Sequence, residues 1–168
     1  MRFACVTAVI CAFVLSQATV AEAGPACQAA AYHQFDFFVG RWIVTSSAGK
    51  KIGTDEVSKA YGGCVLVEKW HDAGDAGGGI GLTGYQAGRS AWHQDFMDDT
   101  GFVLAIDGGM VGSQMIMTGT DVPKPGVKRL HRVTWTTRAD GSVEELWKTS
   151  EDGGGSWHVH FDGIFHRI

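Results

Sequence analysis

The sequence predicts an all-β chain, an antiparallel up-and-down β-barrel of about ten strands with a short N-terminal helical turn. Three observations predict it. Glycine is abundant and proline scarce, 24 and 3 of 168 residues, and the glycines separate short segments of alternating apolar and polar residues. That is the pattern of strands joined by tight turns. No long stretch after the leader repeats its apolar residues at a helical period, so crossover helices, and with them a parallel sheet, are not expected. A meander of hairpins avoids exposed edges by closing on itself.

The elements follow in order. Residues 1–23 read as a secretory signal peptide: Met1-Arg2 is a short positive start, Phe3 to Leu15 is uncharged and apolar, and Ala21-Glu22-Ala23 is a small-x-small cleavage site. The apolar run falls short of the roughly 20 residues of a spanning helix, so a retained anchor is the weaker alternative. Residues 24–168 are expected to form one domain around one core. Within it, 28–37 predicts one or two helical turns that plug an end of the barrel.

Strands are expected at 41–47, 54–61, 64–71, 79–86, 90–97, 101–106, 113–120, 128–138, 142–149 and 157–165. Asp98-Asp99-Thr100-Gly101, Ala139-Asp140-Gly141 and Glu151-Asp152-Gly153-Gly154 place glycine where a hairpin reverses. Two connections are longer: the glycine-rich 72–79, a candidate lid or a plain hairpin tip, and 119–128, which carries Pro123 and Pro125.

Composition excludes some functions. Loss of the leader takes away one basic residue, Arg2, and one acidic residue, Glu22, so the net charge stays −4. A mildly acidic chain with no basic run argues against nucleic acid and against anionic membrane surfaces as partners. The partner it leaves open is a small apolar or aromatic ligand. Cleavage also leaves an even pair of cysteines, Cys27 and Cys64, which in an exported chain reads as a disulfide. The alternative is a pair of free thiols in a reducing compartment. Oligomeric state is not legible.

The six tryptophans carry the main site signal, because each lies in or opens a separate predicted strand. Period-two alternation puts Trp135 on a face with Val133, Trp147 with Val143 and Glu145, Trp70 with Leu66 and Glu68, and Trp157 with Val159, Phe161 and Phe165. Glu68 and Glu145 then point inward, where a carboxylate is costly unless paired; Arg89, Arg132 and Arg138 are the candidate partners. A barrel of about ten strands leaves room inside, and a tryptophan-lined lumen with few polar groups is how a small-molecule pocket is built.

The expected ligand-binding residues are therefore Trp42, Glu68, Trp70, Tyr85, Trp92, Trp135, Glu145 and Trp147. Glu68 is also the candidate acid or base should the barrel be an enzyme, although no nucleophile elbow, phosphate-binding loop or zinc-protease motif is present. His158 and His160 are spaced to share a strand face with Asp162 and His166 and are weak metal candidates. The face opposite them carries the apolar residues, so these histidines are expected to face solvent. No cofactor is expected; haem is the one considered, through His158 or His160.

The segments Phe35-Asp36-Phe37-Phe38-Val39-Gly40-Arg41-Trp42, Gly63 to Trp70, Trp92 to Gly101, Val133-Thr134-Trp135, Asp152 to Trp157 and Phe161-Asp162-Gly163 together resemble a family of small bacterial secreted or soluble proteins of unknown function. That family is calycin-like, similar to lipocalins, fatty-acid-binding proteins and nitrobindins. The resemblance implies an antiparallel barrel and a generic ligand-binding role. The expectation is an exported, periplasmic or extracellular barrel that binds a hydrophobic or aromatic small molecule. The alternatives are a barrel enzyme using a buried glutamate and a structural or interaction protein with a filled core.

Overall fold

The computed structural model describes residues 27–74 and 77–168. The expected leader, with Cys5 and Cys11, lies outside the described residues. Ten antiparallel strands run β1 (Gly40–Ser46), β2 (Lys51–Ala60), β3 (Val65–Asp72), β4 (Gly78–Gln86), β5 (Ala91–Asp98), β6 (Val103–Val111), β7 (Gln114–Lys124), β8 (Val127–Thr137), β9 (Val143–Ser150) and β10 (His158–Arg167). Each pairs with its sequence neighbour, and β1 pairs with β10, which closes the barrel. All ten predicted strands are present, with ends displaced by a few residues.

An up-and-down barrel puts alternate connections at opposite ends. One end carries the N-terminal arm and the β2–β3, β4–β5, β6–β7 and β8–β9 connections. It is closed. Two 3₁₀ turns, Ala30–His33 and Asp36–Phe38, cross it and bury Phe35 and Phe38. The Phe35 ring stacks on Phe38 and meets Trp92 and Trp135 edge-on, and Phe38 meets Phe165 at 5.2 Å between centroids. Burying a phenylalanine contributes on the order of 1.5–3 kcal/mol, so the plug is a substantial part of the core. The Cys27–Cys64 disulfide ties the arm to the β2–β3 connection, as the even cysteine pair predicted.

The Gly-x-Trp entry into β1 has a defined role. The fully buried Trp42 indole donates from Nε1 to the Phe38 carbonyl at 3.0 Å. The Arg167 guanidinium lies 4.2 Å over the same ring and donates to the carbonyls of Val39 and Phe37 at 2.8 and 3.2 Å. A Cβ at Gly40, at φ +157°, would push the Arg167 guanidinium out of this position. One arginine thus binds the orphan carbonyls of the plug while stacking on the tryptophan beneath it.

The structure corrects two expectations. The stretch 119–128 is not a loop: Pro123 lies within β7, which runs to Lys124, and a register shift between Asp121 and Lys124 accommodates it. Proline is tolerated there because an irregular stretch asks for no ladder N–H. Trp157 and Val159 do not share an inward face with Phe161 and Phe165. Trp157 lies before β10 under the Arg132 guanidinium, at 4.4 Å, and Val159 is exposed. The cause is a register shift between Val159 and Phe161, which breaks the alternation. His158 and His160 are both exposed, as the alternation predicted, but the shift also brings the His160 ring against an indole. That ring packs on Trp147, 4.3 Å between centroids.

Candidate functional site

The other end of the barrel opens into a cavity of about 290 Å³. Its walls are mainly Trp70, Phe96, Trp135, Trp147, Phe161 and Phe165, over a floor of Leu104, Ile106 and Val133. Trp135 and Phe165 also touch the plug, so the cavity floor and the closed end are one packed layer.

The register explains how such large side chains fit. Three of the inward side chains stand opposite a glycine on the next strand: Trp70 opposite Gly79, Glu68 opposite Gly81 and Glu145 opposite Gly163. A Cβ at Gly81 would overlap the Glu68 carboxylate, and one at Gly53 would overlap the Trp70 ring. These glycines provide space for close approach, not turns.

Two glutamates project into this apolar space. Glu68 is buried and accepts a 2.9 Å hydrogen bond from the Gln94 amide. Glu145 accepts one of 2.9 Å from the Trp135 indole, and the part of it that stays accessible faces the cavity. A third carboxylate, Asp55, sits beside them on β2, paired in register with Trp42 on one side and Trp70 on the other. It is 3% exposed, and neither oxygen makes a full hydrogen bond. The backbone N–H groups of Glu56 and Lys69 approach it only marginally.

The three groups share an electrostatic problem. Burial pushes Asp55 up to about 7, with the charge of Glu56 adding to it. Burial pushes Glu145 up to about 8, with Asp55 adding to it. Burial, then Asp55 and Glu145, hold Glu68 well above the ordinary glutamate range, against the Gln94 bond. Low dielectric and like charge both favour the protonated acids.

The expected arginine partners are elsewhere, which corrects that expectation. Arg89 pairs with Asp107, Arg138 approaches Glu144 and Arg132 covers Trp157. No lysine or arginine is among the described residues lining the cavity. The mouth is acidic as well, with Asp72, Asp98 and Asp99 on the rim. Asp72 accepts from the Trp70 indole at 2.8 Å. Asp98 is held below the usual carboxylate range: slight burial opposes the charge, but the Thr100 hydroxyl and the N–H groups of Thr100 and Phe102 outweigh it.

A second network braces Trp147. Its indole donates to Nδ1 of the fully buried His131 at 2.9 Å. An indole N–H can only donate, so Nδ1 is the acceptor and the ring proton sits on Nε2. Nε2 then donates to Asp121 at 2.8 Å, and Arg129 holds the same carboxylate. The relay Arg129–Asp121–His131–Trp147 fixes one cavity wall.

Of the residues named from the sequence, Glu68, Trp70, Trp135, Glu145 and Trp147 line the cavity. Trp42, Tyr85 and Trp92 do not: they belong to the closed end, where Tyr85 meets Tyr32 and Trp92 donates to Gln34. His160 reaches the cavity edge and His158 is exposed. Among the described residues no group of three His, Cys, Asp or Glu is arranged to hold a metal ion. Sequence reading missed Asp55 and Gln94. The available signal was parity: Asp55 alternates with Gly53 and Val57, and Gln94 with Trp92. No protein-family model matches the chain, and no curated protein is similar to it.

Proposed function

We propose that this protein is an exported, calycin-like barrel that binds a small, largely apolar or aromatic molecule in its lumen. One observation carries the reading: the barrel is plugged at one end and holds, at the other, an aromatic cavity into which two glutamates converge. Drug-sized sites span roughly 300–1,000 Å³, so a cavity of about 290 Å³ suits a small ligand. A barrel built only for structure has no need to keep three carboxylates inside, since an unpaired buried charge opposes folding. The disulfide suits a non-reducing compartment, and no described helix is long and apolar enough to cross a membrane. The disulfide accords with export to the periplasm or beyond.

The test is a titration of the mature chain with haem, fatty acids, retinoids and aromatic metabolites, read by tryptophan fluorescence and thermal melting. A ligand of the lumen quenches Trp70, Trp135 and Trp147 and raises the melting temperature in the same titration. Trp147→Phe reduces the quench. Absence of any saturable response across the panel counts against the reading.

The raised Glu68 favours one second reading, a barrel enzyme in which Glu68 holds a proton for general acid catalysis. It requires turnover that Glu68→Gln abolishes while leaving ligand affinity in place.

A further inference from the structure

We propose that the lumenal ligand is an organic cation, a protonated or quaternary amine on an apolar or aromatic body. The inference rests on the lumenal-binding reading above and goes further by assigning the charge of the ligand.

The argument begins with what the cavity lacks. Glu68 on β3 and Glu145 on β9 line the cavity, Asp55 on β2 lies close behind them outside the lining, and no lysine or arginine among the described residues lines the cavity with them. Two have only a neutral partner, Gln94 or the Trp135 indole. Asp55 has no full hydrogen bond although it is 3% exposed. Buried polar groups are almost always satisfied, and here the two glutamates that line the cavity have no charged partner while the carboxylate behind them has none at all. The partner a carboxylate cluster lacks is a cation.

The walls supply the second, independent argument. Trp70, Trp135 and Trp147 surround the space together with three phenylalanines. Indole and phenyl faces attract cations, most strongly where water is excluded, and aromatic cages recognise methylated amines in this way. An anionic ligand would find no lysine or arginine in the lining, would oppose ionisation of both glutamates, and would meet like charge from the rim residues Asp72, Asp98 and Asp99. The rim carboxylates instead draw a cation toward the mouth. The basic groups nearest the cavity do not reverse this. Arg129 is engaged by Asp121, the His131 ring nitrogens are both committed, and the His160 imidazole is kept toward its neutral form by burial and by Arg129.

Binding should also displace protons. A cation that enters favours the charged carboxylates, whereas the empty cavity favours their acids. Affinity for an amine should therefore rise with pH between 6 and 8, a window framed by the values of about 7 for Asp55 and about 8 for Glu145. The groups around this cluster are Gln94, the Trp135 indole and Glu56 beside Asp55, with Asp72, Asp98, Asp99 and His160 around the mouth; His160→Gln serves as the control for the one imidazole among them.

The experiment is calorimetric titration of the unmodified mature chain at pH 7.5 with phenethylamine, benzyltrimethylammonium, 2-phenylethanol and phenylacetate, followed by melting curves. The two cations are expected to bind at least about tenfold tighter than the alcohol, with phenylacetate weakest. Repeating the phenethylamine titration in buffers of different ionisation enthalpy should show net proton release. Glu68→Gln and Glu145→Gln should each weaken the cations by about tenfold or more and leave the alcohol unchanged. Equal or tighter binding of the alcohol or of phenylacetate overturns the charge assignment and leaves a lumenal site standing. So does a neutral fatty or aromatic ligand that binds when neither cation does. Silence from every compound overturns both readings. The ligand series on the unmodified chain stands whether or not the variants fold.

Discussion

Asp55 is the residue at which folding and function pull apart. Its 3% exposure and orphaned oxygens oppose folding in the charged form. Asn is close to isosteric and carries no charge. With Asp55 pushed up to about 7 against an ordinary 3.8, Asp55→Asn should stabilise the ligand-free protein at pH 8 by on the order of 2–4 kcal/mol. That raises the melting temperature by roughly 5 °C or more, with little change at pH 4. A melting temperature at pH 8 that does not rise would mean that the cavity satisfies Asp55 in another way. Asp55 was legible only in part. Strand parity puts it inward, but a lone Asp between Thr54 and Glu56 reads as an ordinary polar stretch. Glu68 was easier to find, because it sits between Leu66 and Trp70 on a plainly apolar face.

At the scale of elements, the N-terminal plug is the part most open to test. Phe35 and Phe38 fill the closed end, Arg167 clamps the plug carbonyls, and Asp36 is held by Lys59 at 2.6 Å and by His33 at 2.9 Å. Phe38→Ala should cost about 3–5 kcal/mol, the range for emptying a buried aromatic site. Joint replacement of Cys27 and Cys64 by serine should cost about 3–4 kcal/mol by loss of loop-closure constraint. Urea unfolding measures both, and a loss under about 1 kcal/mol for Phe38→Ala would make the plug an ornament rather than a core element. The plug was foreseen as helical turns at 28–37, and the structure shows short 3₁₀ turns there. The β10 faces were misassigned because one extra residue near His160 reverses the parity of everything before it, and a bulge has no signature in composition.

For the whole molecule, the dependence of stability on pH should be inverted around neutrality. Asp55, Glu68 and Glu145 all have folded-state values raised above those of the unfolded chain. Their contribution is fully present below about pH 4 and is lost as pH rises through 7 and 8. Asp121 and Asp107 behave in the opposite sense. Slight burial opposes their charge, but hydrogen bonds from Arg129 and His131, and from His93 and Arg89, hold both carboxyls low. Their contribution is present above about pH 4 and is lost in stronger acid. The melting temperature of the ligand-free protein should therefore peak near pH 5 and fall toward pH 8, and a saturating amine should remove much of that fall. A flat profile from pH 5 to 8 would show that the three carboxylates ionise freely in the folded barrel.

Alternation, glycine placement and the even cysteine pair were enough to specify a closed antiparallel meander, its ten strands and the Cys27–Cys64 disulfide. Those features depend on neighbours along the chain or on a simple count, and both are printed in the order of residues. The division of the tryptophans between plug and cavity was a different matter. Trp42 and Trp92 look like Trp70 and Trp135 in local sequence, yet the first two close one end and the others line the opening at the other. Height along the barrel axis depends on register and strand tilt summed around all ten strands, so it exists only once the sheet has closed. The meeting of Asp55, Glu68 and Glu145 has the same origin. Asp55 and Glu68 are neighbours through the β2–β3 hairpin, but Glu145 is remote along the chain, and only barrel closure brings it into the same low-dielectric space, where their charges oppose one another.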